Sequence, residues 1–125
     1  MYEVSVEGTF SAAHALHGYE GDCERLHGHN WRVELTVVAS ALGPVGMAAD
    51  FRDLKRALGG ALDGLDHRNL SADVPAFAET NATTENLARF VAERVAPKLP
   101  ENVRVARVRV WESAGASAAW IPEES

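Results

Sequence analysis

Hydrophobic and polar residues alternate along two stretches near the start of the chain, and this period of two is typical of β-strands. In the first stretch, residues 2–12, the apolar positions are Tyr2, Val4, Val6 and Phe10. In the second, from about Leu26 to Ala39, they are Trp31, Val33, Leu35 and Val37. The loop between the two strands contains Gly18 and Gly21, so the pattern predicts a hairpin.

Two later stretches carry apolar residues at helical spacing. The first follows Asp50, a favourable N-cap residue, and its apolar positions are Phe51, Leu54, Leu58, Leu62 and Leu65. Gly59 and Gly60 lie within it, and each costs about 1 kcal/mol relative to alanine, so we expect this helix to bend or stop early. The second begins at Thr83 or Thr84 and has the apolar positions Leu87, Phe90, Val91 and Val95.

Two further strands are predicted near the end of the chain, over residues 103–112 and 116–121. The alternation shifts phase between Val105 and Val108, which indicates a β-bulge. The order ββααββ predicts one α+β domain over residues 1–125, with a four-stranded antiparallel sheet and both helices on one face. Such a sheet has two open edges, so we expect the chain to oligomerise.

Three histidines are placed to converge at one end of the predicted hairpin. His27 and His29 are two residues apart on a strand and therefore point to the same face. The hairpin brings His14 beside them, whereas His17 lies in the loop and outside the alternation. Three neutral imidazoles suit Zn²⁺, and three protein ligands leave a fourth position open for water or substrate, as in catalytic zinc sites.

Composition limits the classes of function. The chain has 46% hydrophobic and 24% charged residues, which is ordinary for a globular protein. Its net charge of −6 argues against general affinity for nucleic acid or anionic membranes. A single cysteine excludes an internal disulfide, and no signal-peptide pattern or apolar run of membrane-spanning length is seen, so we expect a cytoplasmic protein.

Four other residues are candidates for chemistry. Cys23 lies in a polar, glycine-bounded loop, where it is equally suited to act as a thiolate beside the metal or as a fourth metal ligand. Asp66 and His67 form a titratable pair, although adjacent side chains rarely hydrogen-bond and a solvated helix end is the alternative. Glu112 is in phase with apolar strand residues, so it is either a surface acid or a carboxylate that binds the forked donors of a guanidine-like ligand.

Together these segments resemble the 6-pyruvoyltetrahydropterin synthase superfamily, and most closely its bacterial 6-carboxytetrahydropterin synthases of the queuosine pathway. The resemblance rests on motifs that occur in family order along nearly the whole chain. They are Phe10-Ser11-Ala12-Ala13-His14, Cys23-x3-His27-Gly28-His29-Asn30, Asp50-Phe51-x2-Leu54-Lys55, Leu65-Asp66-His67-x2-Leu70, Thr83-x-Glu85-Asn86-Leu87-Ala88 and Glu112.

The resemblance implies roles for these residues. By family likeness His14, His27 and His29 hold zinc, Cys23 is the catalytic thiol, Asp66 with His67 sets its protonation, and Glu112 anchors a pterin ring. It also implies the tunnelling fold, in which subunits join their sheets into a barrel as a homohexamer, a dimer of trimers, with active sites between subunits. Arg25 and Lys55 are candidates for contacts with the triphosphate.

The implied reaction converts 7,8-dihydroneopterin triphosphate to 6-carboxy-5,6,7,8-tetrahydropterin, with release of acetaldehyde and triphosphate. The short spacing from Cys23 to the HGH pair favours this activity over that of 6-pyruvoyltetrahydropterin synthase, which eliminates triphosphate without cleaving a carbon–carbon bond. A non-catalytic zinc protein, with Cys23 completing the metal site, is the third possibility.

Overall fold

The computed structural model describes residues 1–18 and 25–123. Two long strands open the fold, β1 (Tyr2–His14) and β2 (His27–Ala39), and helix α1 (Phe51–Asp63) follows them. The chain continues through β3 (Arg68–Asn69), α2 (Leu70–Asp73), a 3₁₀ turn (Pro75–Phe77), α3 (Thr84–Val95) and a second 3₁₀ turn (Ala96–Lys98), and it ends with β4 (Arg104–Ser113) and β5 (Ala116–Trp120). The α+β class is as predicted.

The sheet differs from the predicted one. It has five strands in the order β3-β1-β2-β4-β5, and it is mixed because β3 runs parallel to β1. The prediction of four antiparallel strands is therefore wrong. β3 has only two residues, Arg68 and Asn69, and so short a strand leaves no periodicity to detect. It forms because the chain after α1 returns to the edge of β1, where Ala12 pairs with Arg68.

The core lies between one face of the sheet and the helices α1 and α3. Inward-facing residues of β2, including Trp31 and Leu35, are fully buried against apolar residues of both helices. Gly8 of β1 lies close to α1, and a Cβ atom there would come within 2.8 Å of Leu62 Cδ1. A side chain at position 8 would therefore displace the end of the Leu62 side chain. The prediction that both main helices cover one face is confirmed.

Both predicted helix starts are confirmed by their caps. The Asp50 side chain accepts a hydrogen bond from the backbone N–H of Arg52, and Thr83 Oγ1 accepts one from Asn86. The expectation that α1 stops early at its glycine pair is wrong, since the helix continues to Asp63. Phe51, predicted to be in the buried stripe of α1, is 55% exposed.

Two irregularities shape β4. The predicted bulge is present, because β4 omits Ala106 from its pairing with β2. A second irregularity lies between Trp111 and Ser113 in the pairing with β5, which makes Glu112 the extra residue. Bulges re-aim side chains and are common beside functional sites. Among the described residues, no helix is long and apolar enough to cross a membrane.

Candidate metal centre and active site

The β1–β2 hairpin brings the three predicted histidines together. His14 lies directly opposite His27, and His29 lies opposite Ala12, two positions away on the same face. Their ring centroids are 4.6 to 5.3 Å apart. The fully buried Trp31 packs edge-on against the rings of His14 and His29, and its indole N–H donates to the Ala12 carbonyl. The histidine cluster therefore rests on the hydrophobic core.

Backbone carbonyls determine which ring nitrogen of two histidines carries the proton. His14 Nδ1 lies 2.8 Å from the carbonyl oxygen of Ala82, and His27 Nδ1 lies 2.7 Å from that of Arg25. A carbonyl can only accept, so each Nδ1 carries the hydrogen and each neutral ring keeps a lone pair on Nε2. These two Nε2 atoms are 3.0 Å apart. Two lone pairs at that distance repel each other unless a cation lies between them.

Glu112 adds a carboxylate to the histidine cluster. Its Oε1 is 2.9 Å from His29 Nε2 and 3.3 Å from His14 Nε2. His29 Nε2 is buried and makes no directed hydrogen bond, although the carboxylate oxygen is so close. The ligand atoms of His14, His27, His29 and Glu112 all lie within 4.8 Å of one another. These four side chains can hold a metal ion, and their nitrogen and oxygen donors fit Zn²⁺.

Burial and the negative charge of Glu112 shift the pKa of His29 in opposite directions. Burial lowers the pKa of His29 below its usual range, while the negative charge of Glu112 raises it by less, and the neighbouring His14 and His27 lower it further. The net downward shift keeps the imidazole of His29 neutral, which is the form that binds metal. His14 is 2% exposed and Glu112 33%, so the cluster has a buried floor and an open side.

Asp66 and His67 form the second group, and here the structure corrects an expectation. Adjacent side chains rarely hydrogen-bond, yet His67 Nδ1 lies 2.9 Å from Asp66 Oδ2. The backbone of His67 is in the left-handed region, with φ of 58°, and its N–H donates to the Ser11 carbonyl. This sharp turn brings the His67 ring back over Asp66. His67 is nevertheless 82% exposed, so the pair does not turn inward within one chain.

The carboxylate of Asp66 links this pair to the strand that carries His14. Its Oδ1 accepts a hydrogen bond from the backbone N–H of Ser11. That bond is the main cause that lowers the pKa of Asp66, and the hydrogen bond with His67 adds to it. Asp66 is therefore ionised at neutral pH and orients the His67 ring. His29 and His67 line one shallow depression of about 420 Å³ beside β1 and β2.

The other candidates are placed as follows. Cys23 lies outside the described residues. His17 is exposed and not part of the cluster, as predicted; its backbone exchanges two hydrogen bonds with the Asn81 side chain. Arg25 and Lys55 are both exposed. A cavity of about 890 Å³ between α1 and α3 is lined by none of the predicted site residues.

Sequence reasoning missed the groups that hold the histidines. The carbonyls of Ala82 and Arg25 orient two of the rings, but every residue has a carbonyl, so the side-chain sequence contains no signal for them. Trp31 was recognisable only as a core residue, although it is in phase with His27 and His29. Such supporting contacts fix the orientation of metal ligands and tune their basicity.

The sequence is similar to those of several known proteins. A sequence profile of the 6-pyruvoyl tetrahydropterin synthase family matches residues 3–123. The dihydroneopterin monophosphate aldolase of Pyrococcus furiosus is 38% identical, with 83% of each chain covered. The human 6-pyruvoyl tetrahydrobiopterin synthase is 36% identical, over 89% of this chain and 85% of that protein. The 6-carboxy-5,6,7,8-tetrahydropterin synthase of Haemophilus influenzae is 28% identical, over 90% and 94%.

The fold has a close counterpart among solved structures. The 6-pyruvoyl tetrahydropterin synthase of Caenorhabditis elegans superposes with a TM-score of 0.84 at 29% identity, and 98% of each chain is covered. The profile match spans almost the whole chain, and two relatives exceed 30% identity over most of its length. The chain therefore belongs to the 6-pyruvoyl tetrahydropterin synthase family.

Proposed function

We propose that the chain is a zinc-dependent lyase that converts 7,8-dihydroneopterin triphosphate to 6-carboxy-5,6,7,8-tetrahydropterin. The observation that carries the proposal is the cluster of three imidazoles and one carboxylate in a member of a pterin-processing family. The reaction takes up one water and releases triphosphate and acetaldehyde. No external oxidant or reductant is needed, because the hydrogens lost from the side chain are retained in the reduced ring and the aldehyde.

His14, His27 and His29 are proposed as the zinc ligands. A bound zinc ion would polarise the hydroxyl oxygens of the substrate side chain and make the neighbouring protons easier to remove. The protein supplies the rigidity that this requires, since two of the rings are held by backbone carbonyls and two pack against Trp31. Ligands on adjacent strands keep their positions better than ligands on loops.

Proton transfer is assigned to Cys23, with Asp66 and His67 controlling its protonation. The Asp66 carboxylate holds His67 Nδ1, which leaves Nε2 of the ring free to exchange a proton with another group. The ring is 82% exposed, which suits a role at a surface that a second subunit covers. We therefore include in the proposal that the domain assembles as a homohexamer with its active sites between subunits.

Glu112 is assigned to the pterin. Its carboxylate is one-third exposed at the open side of the cluster, and it can accept two parallel hydrogen bonds from the amino-pyrimidine edge of the ring. Anchoring the ring there would bring the side chain of the substrate over the histidines. The contacts of the triphosphate are assigned to Arg25 and Lys55 on the basis of their charge alone.

Two other products have to be separated from the proposed one, because similar relatives bear other names. The human relative is a 6-pyruvoyl tetrahydrobiopterin synthase and the Pyrococcus relative a dihydroneopterin monophosphate aldolase. The zinc-loaded protein should be incubated with dihydroneopterin triphosphate and, separately, with the monophosphate, and the products identified by mass. We expect carboxytetrahydropterin and acetaldehyde from the triphosphate. A pyruvoyl product, or aldol cleavage of the monophosphate, would reassign the reaction.

A non-catalytic zinc protein is the remaining alternative. It would bind zinc but turn over neither compound, and in it Cys23 would complete the metal site.

The proposal also places the protein in the cytoplasm, because a lone cysteine suits a reducing compartment.

A further inference from the structure

Three of the separations within the metal cluster equal those of ligands around one tetrahedral ion or are a few tenths of an ångström shorter. Ligand atoms about 2.0–2.2 Å from a tetrahedral ion are about 3.3–3.6 Å from one another, by trigonometry. The measured separations are 3.0 Å between the Nε2 atoms of His14 and His27, 3.3 Å from Glu112 Oε1 to His14 Nε2, and 2.9 Å from Glu112 Oε1 to His29 Nε2. Glu112 Oε1 is thus about as close to His14 and His29 as His14 Nε2 is to His27 Nε2.

Glu112 Oε1 approaches His29 Nε2 more closely than it approaches His14 Nε2. The two atoms are 2.9 Å apart, yet His29 Nε2 is buried without a directed partner. A shared cation would account for this contact and also for the close approach of the His14 and His27 Nε2 atoms. Glu112 is in phase with the buried Val108 and Val110 of β4, so strand alternation places its side chain on the same face of the sheet as the histidines.

We propose that Glu112 is the fourth metal ligand of the substrate-free protein and that the binding of a pterin removes it from the metal. This inference rests on the proposed function, in which the substrate needs an open position at the metal and Glu112 anchors the ring. A forked pair of hydrogen bonds to the pterin uses both carboxylate oxygens. Glu112 can therefore bind the metal or the pterin, but not both at the same time.

Glu112 is also the ligand that is able to move. His14 and His27 are each held through Nδ1 by a backbone carbonyl, and His14 is almost completely buried. Glu112 has no such second contact among the described residues, and its side chain is 33% exposed. The exchange makes metal binding and pterin binding compete for one carboxylate, and this coupling must be equal in both directions.

The test measures the dissociation constant of zinc with a competing chromogenic chelator, for the wild-type protein and for Glu112→Gln. Loss of the anionic ligand should weaken zinc binding more than about 100-fold, beyond the loss usual for supporting residues. The matched control is Glu34→Gln, a half-buried carboxylate on β2 that faces Arg107 rather than the cluster. Its zinc affinity should equal that of the wild type.

The same titration is repeated with saturating unsubstituted pterin, which has the ring edge but no side chain to offer the metal. Pterin should weaken zinc binding by the wild type and leave Glu112→Gln unaffected. Circular dichroism of the metal-free proteins checks folding. If the variant does not fold, the pterin titration of the wild type decides, and the cobalt-substituted wild type shows whether a thiolate is among the ligands.

Each of the other outcomes would contradict a specific part of the proposal. Equal zinc affinity of wild type and Glu112→Gln would remove Glu112 from the metal and leave the three-histidine site and the proposed reaction standing. If zinc and pterin bind independently, the proposed exchange of Glu112 between the metal and the pterin is wrong. A thiolate-to-cobalt charge-transfer band in the wild type would give the fourth position to Cys23 instead. A wild type that binds no zinc would overturn both this inference and the zinc dependence in the proposed function.

Discussion

His14 and His67 are histidines at the same end of the sheet, yet His14 is 2% exposed and His67 is 82% exposed. His14 is on a long strand, packs on Trp31 and is oriented by the Ala82 carbonyl. His67 is on a tight turn, in a left-handed backbone conformation, and its one side-chain partner among the described residues is Asp66. The four side chains that could hold a metal thus come from one chain, whereas the Asp66–His67 pair is oriented but exposed.

This difference indicates that the two histidines are suited to different roles. Groups that must hold an ion need rigid, desolvated positions, which the core side of a sheet provides. A group that must exchange protons has to be reached by its partner, which an exposed turn allows. The following predictions separate the two regions, from the largest expected effect to the smallest.

Replacing His14 should produce the largest loss. His14→Ala removes a proposed metal ligand and leaves the Ala82 carbonyl without its donor, so we expect zinc binding and turnover to be lost together. Zinc content after dialysis and product formation measure both effects. The matched control is His17→Ala, which removes an exposed histidine three positions away and should retain zinc. Zinc bound equally well by His14→Ala would exclude this residue from the site.

Cys23→Ala decides whether Cys23 acts with the exposed pair or with the metal cluster. As the proposed catalytic thiol its loss should abolish turnover while zinc and the melting temperature are retained. As a fourth ligand its loss should remove zinc and stability together. Zinc content, thermal unfolding and turnover of the same preparation separate the two roles. Full turnover by Cys23→Ala would contradict the catalytic assignment.

His67→Ala should spare the metal and impair the reaction. We expect the rate to fall by about 10²- to 10⁴-fold, as for loss of a proton-transferring group, with zinc affinity unchanged. His67→Gly serves as the companion variant, because glycine adopts the left-handed conformation without strain. It should be more stable than His67→Ala by about 1 kcal/mol in chemical denaturation. Weakened zinc binding in either variant would show that the two regions are not independent.

Asp66→Asn should have the smallest effect, and one that depends on pH. The folded state lowers the pKa of Asp66, so its ionised form adds stability that is present above the ordinary aspartate pKa of about 3.9 and is lost as the pH falls through the lowered value. The variant should therefore melt below the wild type at neutral pH, and the gap should narrow in acid. Melting curves of the metal-free proteins from pH 7 to about pH 2.5 test this. A gap that is constant with pH would contradict the ionic role of Asp66.

The hydrophobic pattern predicted most of the fold because long elements repeat their period several times. The four long strands, the two main helices, both caps and the bulge of β4 were predicted from that pattern. β3 was missed because a pair of residues has no period, and its pairing depends on where the chain leaves α1. The expectation that α1 stops at Gly59 and Gly60 is wrong because packing elsewhere along the helix outweighs the cost of the two glycines. A Cβ atom at either position would meet no neighbour, so the two glycines lie outside the core.

The candidate site, like the fold, could be predicted from the sequence only in part. The sequence by itself determined that His27 and His29 share a face and that His14 meets them, because strand alternation and hairpin pairing are local rules. Only the tertiary structure decided which carbonyls orient the rings, that Glu112 reaches the same cluster, and that His67 turns back over Asp66. Those contacts join residues from separate elements or depend on one backbone angle, and neither the identity of a residue nor its spacing records them.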